Sequence, residues 1–160
     1  MPKIQFAAFG VGAVGGYFGA ALARAGYSVA FIARGAHLDA IRRCGLHIRS
    51  PGGDFKIAPA LVTDNPADVG PVDAVILGVK AWQVPEAANA MRPLIATPTK
   101  LLPLQNGVEA ADQLRQVLGQ QHPWSVSAGS SAPSQRLATS ATSEWSRRSC
   151  SASWVDRLYQ

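Results

Sequence analysis

The chain has 160 residues, of which 48% are apolar and 16% are charged. This length and composition suit one well-buried domain and exclude whole-chain disorder, collagen and a coiled coil. The formal net charge is +5, but no cationic run exceeds the pairs Arg42-Arg43 and Arg147-Arg148, so a small phosphate-bearing ligand is favoured over nucleic acid.

Short β-rich runs alternate with helical patterns over residues 1–122. The predicted elements, in chain order, are strand 4–9, helix 13–25, strand 28–33, helix 37–43, a hairpin of strands 46–49 and 55–57, strand 72–79, helix 85–91, strand 101–104 and helix 108–118. Strands that alternate with helices through short connections predict a Rossmann-type, doubly wound parallel α/β sheet. We therefore assign residues 1–122 to one such domain.

The composition changes near residue 123. Residues 1–123 contain two serines, whereas residues 124–160 contain eleven serines and three of the four tryptophans, and no apolar periodicity survives there. One interpretation is a Ser-rich linker or disordered C-terminus. With GC-rich codons chosen within the degeneracy of the code, a back-translation from Pro123 that is read one register over can give alternating apolar strands. We therefore hypothesise that residues 124–160 of this irregular tail (residues 123–160) are out-of-frame translation.

No apolar run reaches the roughly 18 residues of a membrane-spanning helix, so we expect no membrane partner. The two cysteines, Cys44 and Cys150, cannot build a disulfide framework, and no Cys/His cluster has metal-ligand spacing. The sequence therefore predicts a cytoplasmic protein without a metal site, and it leaves the oligomeric state open.

A glycine motif follows the first predicted strand and opens the first predicted helix. The run Gly10-Val11-Gly12-Ala13-Val14-Gly15 matches GxGxxG in the context that dinucleotide binding requires. In this pattern Gly10 permits a tight turn, Gly12 lets a pyrophosphate approach the backbone, and Gly15 lets the helix pack on the strand. The pyrophosphate then faces the positive end of the helix. The alternative is a purely structural turn.

The end of the second predicted strand selects the dinucleotide. NAD-binding domains usually carry Asp or Glu there, which accepts a hydrogen bond from the ribose 2′-OH. Here the strand is followed by Arg34, and no acidic residue appears until Asp39. A guanidinium can pair with a 2′-phosphate, which favours NADP(H) over NAD. The alternative is a solvated arginine at a strand end.

Two polar residues follow later strands, where open α/β sheets bind ligands. Lys80 follows strand 72–79, and Asn106 follows strand 101–104. Lys80 can attract a cofactor phosphate or a substrate carboxylate, and Asn106 offers an amide donor and acceptor near a nicotinamide. Both also fit structural roles, as a solvated lysine and as a tight turn. Trp82 is predicted to be a packing anchor beside the cleft, and His37 to be a surface or internally satisfied histidine.

Together these residues resemble the 2-dehydropantoate 2-reductase (ketopantoate reductase) family over residues 1 to about 122. The resemblance is carried by the glycine motif, Arg34, the run Lys80-Ala81-Trp82-Gln83-Val84 and the run Gln105-Asn106-Gly107-Val108. It implies NADPH-dependent reduction of 2-dehydropantoate to (R)-pantoate. It also implies that the glycine loop binds pyrophosphate, Arg34 the 2′-phosphate, Lys80 the cofactor side of the cleft, and Asn106 both nicotinamide and substrate.

The chain departs from this family in length and in its tail. Family members are longer, and their second, helical domain carries the lysine taken as general acid and a glutamate that holds the substrate. We therefore expect this chain to lack that substrate domain, to bind cofactor weakly at most, and to turn over little substrate. Two other readings stay open: another NADP-dependent 2-keto or hydroxy-acid dehydrogenase, and a non-catalytic NADP-binding module.

Overall fold

A computed structural model describes residues 4–50, 53–105 and 109–119. Its strands are β1 (Gln5–Phe9), β2 (Ser28–Ile32), β3 (Leu46–Ile48), β4 (Phe55–Ile57), β5 (Leu61–Thr63), β6 (Ala74–Leu77) and β7 (Lys100–Pro103). Its α-helices are α1 (Ala13–Arg24), α2 (Gly35–Cys44), α3 (Val84–Ala90) and α4 (Glu109–Leu118). Short 3-10 turns cover Pro66–Asp68, Ala81–Gln83 and Arg92–Leu94.

Within the described residues, five strands form one parallel sheet in the order β5-β2-β1-β6-β7. The chain runs outward from β1 through β2 to β5, then crosses back to β6 on the other side of β1. The strand order therefore reverses beside β1, and ligands bind at such switch points, outside the carboxyl ends of the strands. The predicted parallel α/β sheet is confirmed. The predicted hairpin is also confirmed, as the separate antiparallel pair β3-β4.

Apolar side chains pack against both faces of the sheet, so it is doubly wound. On one face, Ala7 and Phe9 of β1 join a buried cluster with residues of α3 and α4. On the other face, Ala8 joins a cluster with α1, α2 and the hairpin. The alternation of these residues along β1 follows the two-residue period of a strand. Burial on both faces explains why the central strands read as continuous apolar runs.

Several boundaries differ from the predictions, and one strand was missed. Strand β5 has only three residues and no alternating pattern, yet it extends the sheet beside β2, with Leu61 opposite Ala30. The helix expected at 37–43 begins earlier, at Gly35. The strand expected at 72–79 pairs only over Ala74–Leu77. Pro103 is tolerated at the end of β7 because, among the described strands, β7 lies at an edge of the sheet.

In the described ranges, no helix is long and apolar enough to cross a membrane. The predicted tail, residues 123–160, lies outside the described residues, and its assignment stays a prediction.

Candidate functional site

The glycine loop joins the carboxyl end of β1 to α1. Gly10 has a φ of +88°, a conformation that favours glycine, and its N–H donates to the carbonyl oxygen of Ile32 at 3.1 Å. Gly12 is the N-cap of α1 and provides no side-chain cap, and the first turn contains no acidic residue. Gly12 and Ala13 are exposed. The positive end of a 12-residue helix therefore opens onto the carboxyl edge of the sheet, which suits an anion.

Three glycines pack backbone against backbone beneath this loop. A Cβ on Gly15 would overlap the carbonyl oxygen of Gly10. A Cβ on Gly78, which follows β6, would lie 2.6 Å from the Cα of Gly15 and 2.7 Å from the Gly10 carbonyl oxygen. The three backbones approach so closely that none of these positions has room for a side chain. This packing fixes the start of α1 against the ends of β1 and β6.

Gly12 differs from these three glycines. Among the described residues, a Cβ there would have only the Gly78 carbonyl oxygen near it, at 3.9 Å, and the φ of −80° at Gly12 suits any residue. The protein's own packing therefore does not require glycine at this position. The space above Gly12 opens onto the exposed helix start, so its missing side chain leaves room for a ligand group. The geometry fits the predicted approach of a pyrophosphate.

Gly78 was not recognised from the sequence. The signal was present, since a glycine inside an otherwise apolar buried run marks a bulge or a close approach of another backbone. It lies two residues before Lys80, within the strand predicted at 72–79.

A second residue that the sequence analysis left without a functional role is His37. Its Nε2 atom lies 2.7 Å from the carbonyl oxygen of Val11, in the glycine loop. Because a carbonyl oxygen accepts, the contact places the ring proton on Nε2. The prediction of a surface or internally satisfied histidine is confirmed, since His37 is exposed and hydrogen-bonded, and the bond also joins α2 to the glycine loop. Its single position gave no such indication in the sequence.

Arg34 follows β2 and is the N-cap residue of α2. Its side chain is 60% exposed, and its Nη1 lies 3.0 Å from Oε1 of Glu86, whose side chain is 69% exposed. Glu86 lies in the first turn of α3. The guanidinium therefore stands at the same edge of the sheet as the glycine loop, with a carboxylate opposite it. No sequence pattern indicates that these two residues, 52 positions apart, meet.

Lys80 and Trp82 follow β6 at this same edge. Lys80 is exposed, and its backbone N–H donates to Oε1 of Gln83 at 3.1 Å across the 3-10 turn Ala81–Gln83. Trp82 is 77% exposed. The prediction that it is a packing anchor was therefore wrong, because in the described part of the chain its ring has too little apolar surface against it to bury it.

Gln105 links the ends of β6 and β7. Its side chain is buried, and Nε2 donates to the carbonyl oxygens of Leu77 and Val79, each at 2.9 Å. These bonds hold the residue before Asn106 against the segment that runs from the end of β6 to Lys80. Asn106 lies outside the described residues, so its predicted role stays a prediction.

Within the described ranges, no group of three His, Cys, Asp or Glu side chains is placed to hold a metal ion.

Comparison with known proteins identifies the family. A family model described as "Ketopantoate reductase PanE/ApbA" matches residues 6–137. The chain belongs to this family. Among curated ketopantoate reductases, it is 39% identical over 101 residues to the 2-dehydropantoate 2-reductase of Mesorhizobium japonicum, covering 62% of this chain and 31% of that protein. It is 38% identical over 107 residues to that of Mycobacterium tuberculosis, covering 66% and 34%.

Solved structures show the same relationship. A 2-dehydropantoate 2-reductase from Porphyromonas gingivalis matches with 44% identity and a TM-score of 0.67, over 73% of this chain and 43% of that one. A D-mandelate dehydrogenase with NADH and anilino(oxo)acetate matches with 28% identity and a TM-score of 0.63, over 71% and 37%. The chain thus spans about a third of the length of those two curated ketopantoate reductases (31% and 34%).

Proposed function

We propose that this chain is the NADP(H)-binding part of a 2-dehydropantoate 2-reductase. The observation that carries the proposal is the space above Gly12, where a Cβ would have no neighbour nearer than 3.9 Å among the described residues. That space faces the uncapped start of α1, at the point where the strand order reverses. Backbone N–H groups, a helix dipole and an open approach are the features that bind a dinucleotide pyrophosphate.

The preference for NADP over NAD rests on Arg34. In NAD-binding Rossmann domains, a carboxylate after the second strand accepts a hydrogen bond from the ribose 2′-OH. Here a guanidinium occupies that place, and it can form charge-assisted hydrogen bonds with a 2′-phosphate. The related D-mandelate dehydrogenase holds NADH, so the choice between the two cofactors has to be measured on this chain.

For the reaction, the bound cofactor supplies the hydride that reduces the substrate's ketone carbon. The chain's own residues bind and orient. The glycine loop holds the pyrophosphate, with His37 fixing the Val11 carbonyl, and Lys80 offers an exposed ammonium on the far side of the crevice. Asn106 orients nicotinamide and substrate in this proposal. Because only about a third of those relatives' length is matched, we keep the prediction that this chain alone turns over little 2-dehydropantoate.

Two alternatives use the same site. The first is another NADP-dependent 2-keto or hydroxy-acid dehydrogenase, and the similarity to a D-mandelate dehydrogenase supports a dehydrogenase of that substrate class. Assaying a full-length relative with a panel of keto acids would distinguish this alternative from the proposal. A non-catalytic NADP-binding module would bind the cofactor tightly without further residues.

The cytoplasmic location also stays a prediction, drawn from the low cysteine content.

Titration of the 160-residue chain with NADPH and with NADH, followed by cofactor fluorescence, tests the proposal. We expect saturable uptake of NADPH and weaker uptake of NADH. Absence of saturation with both cofactors, in a sample shown to be folded by circular dichroism, would contradict it.

A further inference from the structure

The ion pair between Arg34 and Glu86 crosses the crevice of the sheet. Arg34 follows β2, and Glu86 lies on α3, which follows β6 through a 3-10 turn. Strand β1 pairs with both β2 and β6 and therefore lies between them. The pair thus spans the carboxyl end of β1, where the glycine loop begins. A dinucleotide on that loop, with its adenosine toward β2, would meet both partners.

This pair is placed to be exchanged rather than to stabilise the fold. Both side chains are more than half exposed, at 60% and 69%, and they meet through a single Nη1–Oε1 contact of 3.0 Å. Exposed ion pairs of this kind contribute little to stability because water screens them. A phosphate carries more negative charge than a carboxylate, and it can form two hydrogen bonds with the guanidinium where Glu86 forms one. A 2′-phosphate would therefore displace the carboxylate.

We propose that Glu86 is the counter-ion that Arg34 gives up when a 2′-phosphate binds, and that Glu86 thereby sets how strongly the site prefers NADPH to NADH. The inference rests on the proposed function. The Glu86 carboxylate competes with the 2′-phosphate for the guanidinium, and its negative charge also repels the phosphate. A ribose 2′-hydroxyl carries no charge, so neither effect acts on NADH. Glu86 therefore lowers the affinity for NADPH but not that for NADH, and so reduces the ratio by which the site prefers NADPH to NADH.

The test compares Glu86→Gln with Asp112→Asn in the full chain. Both changes remove one exposed carboxylate that pairs with an arginine, and both keep the side-chain shape. Asp112 pairs with Arg115 within α4, whereas Arg34 pairs with Glu86. For Glu86→Gln we expect the dissociation constant for NADPH to fall by about twofold to fivefold, with that for NADH unchanged. Asp112→Asn should change neither value. The gain should shrink at high salt, which screens exposed charges.

A double-mutant cycle with Arg34→Gln shows whether Glu86 acts through Arg34. The gain from Glu86→Gln should be largely lost when Arg34 is already replaced. Equal gains in both backgrounds would show a general surface-charge effect and overturn the proposal, as would an unchanged affinity for NADPH in Glu86→Gln. If the wild-type chain binds NADPH and Arg34→Gln weakens that binding, but Glu86→Gln leaves the dissociation constant for NADPH unchanged, only this inference fails and the proposed function stands. If the folded wild-type chain takes up no NADPH, the proposed function fails and this inference fails with it.

Discussion

The Nε2 atom of His37 lies 2.7 Å from the carbonyl oxygen of Val11, and this hydrogen bond ties α2 to the glycine loop. It joins the element that begins beside Arg34 to the loop that carries Gly12. This side chain therefore adds a direct link between the two places where a dinucleotide's phosphates are expected.

Replacing His37 should loosen the glycine loop. We predict that His37→Leu weakens NADPH binding by about fivefold, the equivalent of one lost hydrogen bond of about 1 kcal/mol, because the Val11 carbonyl loses a donor. His37→Gln keeps an N–H donor on a side chain of similar reach and should restore most of the affinity. Titration of both variants tests this. Wild-type binding by His37→Leu, or no rescue by His37→Gln, would contradict a positioning role.

Gly12→Ala separates ligand binding from folding. In the described part of the chain the new methyl group would meet only the Gly78 carbonyl oxygen, at 3.9 Å, so the free energy of unfolding should change by less than about 1 kcal/mol. The same methyl group would occupy the approach to the loop and should abolish NADPH binding.

Gly16→Ala is the matched control, since its Cβ would make ordinary contact with Val11 Cγ1 at 3.5 Å, inside the helix. That variant should fold and bind. If Gly12→Ala binds NADPH as well as Gly16→Ala does, no pyrophosphate lies over Gly12.

Gly78→Ala should act on stability instead. Its methyl group would lie 2.6 Å from the Cα of Gly15 and 2.7 Å from the carbonyl oxygen of Gly10. Both are backbone atoms, which cannot rotate away. We predict a loss of roughly 1–3 kcal/mol or more in the free energy of unfolding, as for overpacked cores. Chemical denaturation measures it, with Gly16→Ala again as the control. An unchanged denaturation midpoint would show that the three-glycine packing is not needed.

The tail hypothesis makes a prediction about the gene. If residues 124–160 are out-of-frame translation, the nucleotide sequence after the codon for Pro123 should encode, in another register, a segment similar to the ketopantoate reductases and continuing beyond residue 160. Resequencing across that codon is the measurement. An intact frame with no family-like segment in either alternative register would rule the hypothesis out.

The sheet was predictable from the sequence because its central strands are buried on both faces and separated by helical patterns. The short strand β5 was not, because three residues without alternation carry no periodic signal; pairing with β2 makes it a strand. The glycine loop was predictable because GxGxxG requires a specific context of strand and helix. Neither Glu86 nor His37 could be found this way, because their contacts to Arg34 and Val11 depend on how distant elements cross.

The most direct test of the account is the ratio of the dissociation constants for NADH and NADPH, measured in the wild-type chain and in Arg34→Gln. We predict that the wild-type chain prefers NADPH. The substitution should weaken NADPH binding about tenfold or more while leaving NADH binding nearly unchanged, since a charge-assisted hydrogen bond contributes about 1.5–3 kcal/mol. Equal affinities for the two cofactors in the wild-type chain, or equal losses for both in Arg34→Gln, would contradict it.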